Sequence, residues 1–468
     1  MNLVFLSSLS RILCSVLNFL SPVLQVALRS EKTKIFLNER NEAHWLKCID
    51  GALKRKSELP YPVSAVYWIH VASAGELEQA IPVMRLLNEK HRVCFFLTYF
   101  SPSAIPFLKN CQGLIGATSL PWENNKLYRT AIRVLNIRRL ILVRYDFWPV
   151  LVSECTVSKI PVCILAATLR KARSHLPNFL QEIVRAFWFG LSDLVFLVND
   201  DEKQSLIERG ITPEKLVVSG DAKWIRAKER ADKVNENSFS TPIQLIRDAV
   251  KDRSDKAVRR VVVFGSPHKE EFEVFKKMIS AKTDPNLIYI IAPQEVDRST
   301  VIGIEREIHR DDIVILRISE SANTGWVDGV RQGQKIPVIL LDSFGFLAES
   351  YGLADVAIIG GGFDGQLHNV LEPAAFPVLT LFGNRARRAP EAQILLTNNA
   401  ALGFSNTDLL FQFLLRWGTL RSEGDFCEEM SQKLEAVLRN AQALFASLPD
   451  TSEVVCKSLA SRDALEVS

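Results

Sequence analysis

From Val66 onward the sequence alternates short apolar runs with amphipathic stretches, and it does so twice. That pattern confines the chain to α/β architectures in which parallel strands are covered by helices. In the first half the candidate strands are Tyr67 to Val71, Val93 to Leu97, Leu140 to Val143, Val162 to Ala166, Leu194 to Val198 and Leu216 to Val218. Helical stretches separate many of them, notably Glu76 to Glu89 and Asp200 to Arg209. Between Asp221 and Ala257 the pattern lapses into a charged stretch that opens Ala222-Lys-Trp-Ile-Arg-Ala-Lys-Glu-Arg. It resumes at Arg260-Val-Val-Val-Phe-Gly-Ser and continues through Ile288 to Ala292, Val338 to Leu341, Val356 to Ile359 and Val378 to Leu381. A chain of 468 residues is long enough for two domains, each with its own core. The expected division is an N-terminal segment 1–30, a first Rossmann-like domain 31–221, a linker 222–257, and a second Rossmann-like domain 258–468 that includes the C-terminal helices. Two such halves joined by a linker put a cleft between them, where strand ends and helix N-termini converge.

Charge and cysteine usage remove several function classes. Basic and acidic residues nearly cancel, 57 against 53, so nothing in the balance argues for nucleic acid, and any anion site must be local. The eight cysteines form no CxxC pair and have no histidine at zinc-finger spacing, which disfavours a zinc site. Cys94 and Cys163 sit inside apolar runs, where a thiol acts as a small core hydrophobe and fits a reducing compartment.

Residues 3 to 28 are apolar but interrupted by Arg11 and Pro22, which makes them marginal as a spanning helix. Phe5, Leu6, Leu9, Ile12, Leu13, Val16, Leu17 and Leu20 follow helical spacing, with Ser7, Ser8, Arg11, Ser15 and Asn18 on the other side. This pattern predicts a helix lying in a membrane interface on the cytosolic side, with membrane lipid as a partner. Lys54-Arg-Lys can add attraction to anionic lipid or can be a solvated face. No positive charge precedes the apolar run, which speaks against a cleaved signal peptide.

Several strand-to-helix turns carry residues suited to chemistry. Ile69-His-Val-Ala-Ser-Ala-Gly-Glu76 places a carboxylate on the first turn of a helix, available as a general base or present as an ordinary helix-start acid. Ile359-Gly-Gly-Gly-Phe-Asp-Gly-Gln-Leu-His-Asn-Val-Leu-Glu372-Pro is a strand, a glycine loop and a helix start, an arrangement whose free amides suit a phosphate. Asn369 can cap that helix, and Glu372 can complete a capping box or accept ribose hydroxyls. Neither a Walker A pattern nor a GxGxxG fingerprint is present, which disfavours a kinase or a dehydrogenase. Gly265-Ser-Pro-His268 is a second turn of this kind, and Ser219-Gly-Asp-Ala-Lys223 sets a lysine where it can offset leaving-group charge or simply be solvated.

In order along the chain, Ser73 to Glu76, Trp148-Pro149, Ser219 to Lys223, Ser266-Pro-His268, Leu341-Asp-Ser-Phe-Gly345, Tyr351-Gly-Leu-Ala-Asp-Val-Ala-Ile-Ile-Gly-Gly and His368-Asn-x-Leu-Glu-Pro-Ala-Ala375 resemble the Kdo transferases. These GT-B enzymes move 3-deoxy-manno-octulosonic acid from CMP-Kdo to a lipid A precursor. The resemblance implies a membrane-anchored enzyme at the cytoplasmic face of the inner membrane, with CMP-Kdo and a lipid A precursor as partners and no catalytic metal. It implies Glu76 as the base that deprotonates the acceptor hydroxyl and Lys223 as a stabiliser of transition-state charge. CMP would contact Pro293 and Gln294, then Phe344, Gly345 and Phe346, then Asn369, Val370, Leu371 and Glu372. Two of the chain's departures from the family fall on candidate site residues. Where the family has Glu-x-Glu-Leu-Trp-Pro, it has Arg144-Tyr-Asp146-Phe-Trp-Pro, so a cation stands at a position the family uses for transition-state stabilisation. The family's Pro-Arg-His nucleotide contact reads Pro293-Gln294-Glu295, which removes a strong phosphate partner. A GT-B transferase with another donor or acceptor, and a non-catalytic membrane-bound relative that binds nucleotide or lipid, therefore stay open as alternatives.

Overall fold

In the computed structural model the described residues are 40–144, 148–168, 178–235, 239–251, 260–281, 287–322, 335–385, 389–418 and 425–465. The expected N-terminal anchor and Asp146 lie outside them. Among the described residues, no helix is long and apolar enough to cross a membrane.

The apolar runs form two seven-stranded sheets. The first contains β1 (Ala65–Val71), β2 (Val93–Tyr99), β3 (Leu114–Ser119), β4 (Ile137–Val143), β5 (Val162–Ala167), β6 (Leu194–Leu197) and β7 (Leu216–Val218), in the order β3-β2-β1-β4-β5-β6-β7. The second contains β8 (Arg260–Gly265), β9 (Leu287–Ala292), β10 (Ile313–Arg317), β11 (Ile336–Leu340), β12 (Val356–Ile359), β13 (Leu379–Gly383) and β14 (Leu402–Phe404), in the order β10-β11-β9-β8-β12-β13-β14. Neighbouring strands pair in parallel in both sheets. Parallel pairing requires crossovers that cover both faces, which is why β1 and β2 are buried at every position instead of alternating.

On one face of the first sheet, the helix Glu42–Ser57 presents Trp45, Ile49 and Ala52 at helical spacing. These pack with Trp68, Phe96 and Tyr128 into an aromatic cluster in which the Trp45 and Trp68 ring centroids lie 5.8 Å apart. Asn41 caps this helix by accepting from the His44 amide at 2.8 Å. Lys54, Arg55 and Lys56 occupy its last turn, where cations complement the helix dipole. The other face is covered by the helix Ala74–His91 and, unexpectedly, by the helix Thr451–Asp463, which contributes Val455, Cys456 and Leu459 to the core. The cysteines of the core behave as apolar side chains: burial pushes the Cys94, Cys111 and Cys456 thiols up to about 11.

The chain divides into two compact units, residues 1–226 with 449–468, and residues 227–448. This differs from the expected division in two ways. The stretch read as a linker holds the helices Ala222–Asn235 and Thr241–Lys251. Its charge is the outer side of the first of these, whose Trp224, Ala227, Ala231 and Val234 are buried at helical spacing. The last helix, grouped by sequence with the second domain, belongs to the first. A buried ion pair holds it there: Arg139 of β4, 1% exposed, donates to both carboxylate oxygens of Asp463 at 2.9 and 2.5 Å, and Tyr67 of β1 donates to the same carboxylate. Arg139 also reaches Asp193 at 3.0 Å. Burial opposes the guanidinium charge, and the hydrogen bonds to Asp463 and Asp193 outweigh it, so the pKa of Arg139 stays raised.

Candidate functional site

In the first sheet the strand order reverses between β1 and β4, and the chain turns that leave these two strands carry Glu76 and Arg144. A crevice forms at such a switch point because the crossover helices on its two sides lie on opposite faces of the sheet. Glu76 is the third residue of the helix Ala74–His91 and is buried, 8% exposed, with Oε2 accepting from the Ala72 amide at 2.6 Å. The carboxylate thus folds back over the turn that the sequence predicted, and the helix dipole favours its negative charge. Arg144 follows β4 directly, with φ at +65°, a left-handed conformation for a residue with a side chain. Its amide donates to the Leu165 carbonyl of β5 at 2.7 Å, which fixes the turn. Its Nε reaches Oε1 of Gln79 at 3.4 Å, and Gln79 in turn donates to the Gly75 carbonyl at 3.1 Å. Gln79, which sequence reasoning passed over, is one helical turn beyond Glu76 and directs the guanidinium toward the same helix start.

Lys223 stands elsewhere in this sheet. It follows β7, four ladder positions from β1, after Ser219 and a left-handed Gly220 at φ +84°. Its amide donates to Asp221 Oδ1 at 3.0 Å, so Asp221 opens the helix that carries it.

In the second sheet the order reverses between β8 and β12. Pro293 and Gln294 follow β9, Phe344, Gly345 and Phe346 follow β11, and Asn369 to Glu372 follow β12. Strands β11, β9, β8 and β12 are contiguous, so all three stretches emerge along one C-terminal edge. Gln294 is exposed and Phe344 is 77% exposed, beside Gly345 at φ +104°. Asn369 stands one residue before the N-cap position, Val370, and its Oδ1 accepts from the Leu371 amide at 3.0 Å. Val370 and Leu371 are buried, their side chains turned into the core. Glu372 forms an ion pair with Arg230 of the helix Ala222–Asn235.

The glycine loop differs from the expectation of free amides. The amides of Gln366 and His368 donate inside the loop, to the carbonyls of Gly361 at 2.8 Å and Gly360 at 3.1 Å. A side chain on Gly360 would run into the Ser266 carbonyl oxygen at 1.8 Å, so glycine there lets the loop lie on the turn after β8. That close approach assembles a cluster the sequence did not show. His268 Nδ1 bonds Asp364 Oδ2 at 2.7 Å, and His268 Nε2 bonds His368 Nε2 at 2.9 Å. The signal for it was the presence of one histidine in each of the two turns flanking the switch point. Beneath it, Glu271 is fully buried and accepts from the His268 amide at 3.0 Å. Burial pushes its carboxyl up, against the backbone amides that stabilise its charge. Among the described residues, no group of three or more His, Cys, Asp or Glu side chains is placed to hold a metal.

Two parallel-sheet domains of this kind occur in solved structures of other enzymes. The UDP-GlcNAc 2-epimerase from Neisseria meningitidis, bound to UDP-GlcNAc, matches with a TM-score of 0.56 at 13% identity, covering 85% of this chain and all of that one. Another UDP-N-acetylglucosamine 2-epimerase matches at 0.55 and 12%, covering 86% and 97%. At such identities the likeness speaks to the fold. The sequence comparisons go further: residues 44–226 match the family model Glycos_transf_N, described as 3-deoxy-D-manno-octulosonic-acid transferase (kdotransferase). The 3-deoxy-D-manno-octulosonic acid transferase of Aquifex aeolicus is 24% identical over 71% of this chain and 80% of its own length. That of Haemophilus influenzae is 24% identical over 69% and 72%. The chain is a glycosyltransferase with two α/β domains. Over residues 44–226 and beyond, the chain resembles the Kdo transferases as a divergent relative.

Proposed function

We propose that the protein transfers Kdo from CMP-Kdo to a lipid A precursor in lipopolysaccharide synthesis, by inverting displacement at the anomeric carbon. The observation that carries this reading is the placement of Glu76 and Arg144 on the two turns that flank the switch point of the first sheet, where a ligand crevice is expected. Glu76 acts as the general base on the acceptor hydroxyl, its carboxylate oriented by the Ala72 amide. Arg144 supplies positive charge beside it, directed by Gln79, and takes over with opposite sign a position the family fills with a carboxylate. Lys223 offsets charge on the departing phosphate.

On the second sheet, CMP contacts Pro293 and Gln294, Phe344 to Phe346, and Asn369 to Glu372, which share one edge. The exposed Phe344 ring offers a stacking surface for the base. Glu372 must exchange part of its pairing with Arg230 for the ribose hydroxyls. No step is assigned to a metal. The apolar residues 3 to 28 hold the enzyme at the cytoplasmic face of the inner membrane, where its lipid acceptor resides.

The test is transfer from CMP-Kdo to a tetra-acylated lipid A precursor in detergent, read by mass spectrometry. Glu76→Gln is expected to lower the rate roughly 10²–10⁴-fold while leaving CMP binding intact. Turnover that survives this change removes Glu76 from the mechanism, and turnover with a UDP-sugar but none with CMP-Kdo replaces the donor.

A further inference from the structure

The contact between His268 and His368 constrains where protons can be. Two ring nitrogens 2.9 Å apart form a hydrogen bond only if one carries a proton and the other does not. On the far side of His268, Nδ1 faces the Asp364 carboxylate at 2.7 Å and is therefore the protonated nitrogen. His268 has both nitrogens engaged, whereas Nδ1 of His368 makes no hydrogen bond among the described residues. The charged groups facing the pair are Asp364 from the glycine loop and the buried Glu271 from the helix after β8, whose carboxyl accepts from the His268 amide.

Of the proton arrangements that satisfy these contacts, the one that makes His368 itself the imidazolium is disfavoured by burial of its ring and by His268, which leaves two. In the first, His268 is neutral, the proton between the rings belongs to His368 Nε2, and His368 Nδ1 presents a bare lone pair. In the second, one proton more is present: His268 is an imidazolium held by Asp364, it donates through Nε2, and His368 is neutral with a proton on Nδ1. Adding a proton at His368 Nδ1 moves the shared proton to His268, so the charge settles against Asp364 while His368 stays neutral. The His368 ring is held below its ordinary pKa first by burial and then by His268, with Asp364 opposing, which agrees with a ring that is neutral in both states.

We propose that Asp364, His268 and His368 form a proton relay that delivers a proton through His368 Nδ1 to the departing phosphate of a nucleotide-activated sugar. The relay sits at the β8/β12 switch point, on the sheet edge that carries the donor contacts, and its use in the reaction rests on the donor reading above. As the bond between the anomeric carbon and the phosphate oxygen breaks, its electron pair passes to that oxygen, which takes the proton from His368 Nδ1. The proton between the rings passes from His268 Nε2 to His368 Nε2, leaving His268 neutral with Nδ1–H on Asp364. Solvent then recharges the pair. His368 is the catalytic residue; His268 and Asp364 are positioning residues that set where the charge rests. The reaction therefore has an acid on the nucleotide side to match the base on the acceptor side.

Histidine side-chain ¹⁵N spectra of the full chain over roughly pH 5 to 8 test the relay without any ligand. The expected result is a neutral His368 that changes its protonated nitrogen from Nε2 to Nδ1 as pH falls, with His268 Nδ1 protonated throughout. A His368 that keeps one tautomer across the titration overturns the relay. CMP-Kdo transfer tests its use. His368→Gln is expected to lower kcat a hundredfold or more with little change in KM. Asp364→Asn, which removes the charge that stabilises the imidazolium, moves the high-pH loss of activity to lower pH. Wild-type turnover with unchanged kcat and pH profile in both variants overturns the role in transfer. A wild type that shows the tautomer exchange but no turnover with CMP-Kdo sinks the donor reading and leaves the relay standing.

Discussion

Glu271 shows how a local capping device and a buried charge conflict at one residue. Its side chain caps the helix Lys269–Ala281 by accepting from the His268 amide, yet it is fully buried, and burial raises its pKa above the ordinary value of 4.5. A raised folded pKa means that the folded state holds the proton more tightly than the unfolded state, so stability falls as pH rises from the unfolded value through the folded one. Glu271→Gln keeps an acceptor for the cap and removes the charge. Urea titrations of wild type and variant should therefore coincide near pH 4.5 and below, with the variant gaining relative stability as pH rises through that window. Equal dependence on pH in both would mean that the carboxylate is not under strain. Glu76, Asn369 and Glu372 were legible as residues because helix-start chemistry is local and obeys fixed spacing. Asp364 and His368 were not legible as partners of His268, because a bond between residues a hundred positions apart depends on how closely two turns approach, which Gly360 decides through a missing side chain.

At the scale of elements, legibility followed burial. The sequence pattern found every central strand, and it missed β3, β10 and β14, all of which are sheet edges. A strand covered on both faces must be apolar throughout, as β1 and β2 are, whereas β10 buries only part of its length and β14 buries none of its positions, and both lose the signal. The helix Thr451–Asp463 was assigned to the wrong half for a related reason: amphipathicity shows that a helix has a face to bury but not which sheet buries it. Its placement depends on the buried Asp463, which answers Arg139 and Tyr67 from the middle of the first sheet. Asp463→Asn leaves the guanidinium with Asp193 alone and should destabilise the first unit by about 3 kcal/mol in denaturant unfolding, far more than a surface ion pair contributes. Replacing Glu453, which pairs with Lys90 at 2.5 Å on the partly exposed rim of the same helix, should cost no more than about 1 kcal/mol. A reversed order of these two costs would place the anchor of the helix at its rim.

For the whole molecule, the return of that helix makes residues 227–448 an insertion between the last strand of the first unit and its last helix. Expressed alone, residues 227–448 should fold and unfold cooperatively by circular dichroism, since their sheet and its covering helices are contiguous in the chain. Residues 1–226 alone should fail that test, and joining 449–468 to them through a flexible link should restore it. Cooperative folding of 1–226 without the helix would make the Asp463 clasp dispensable. The same threading sets an order of events on the ribosome. At about 5–20 residues per second, synthesis of the inserted unit takes on the order of 10–40 s, and throughout that time the first sheet waits with one face of the helix Ala74–His91 uncovered. The unit that begins first is completed only after the inserted one, so the nascent chain carries an open apolar surface while residues 227–448 are made and presents a target for chaperones until the helix Thr451–Asp463 emerges.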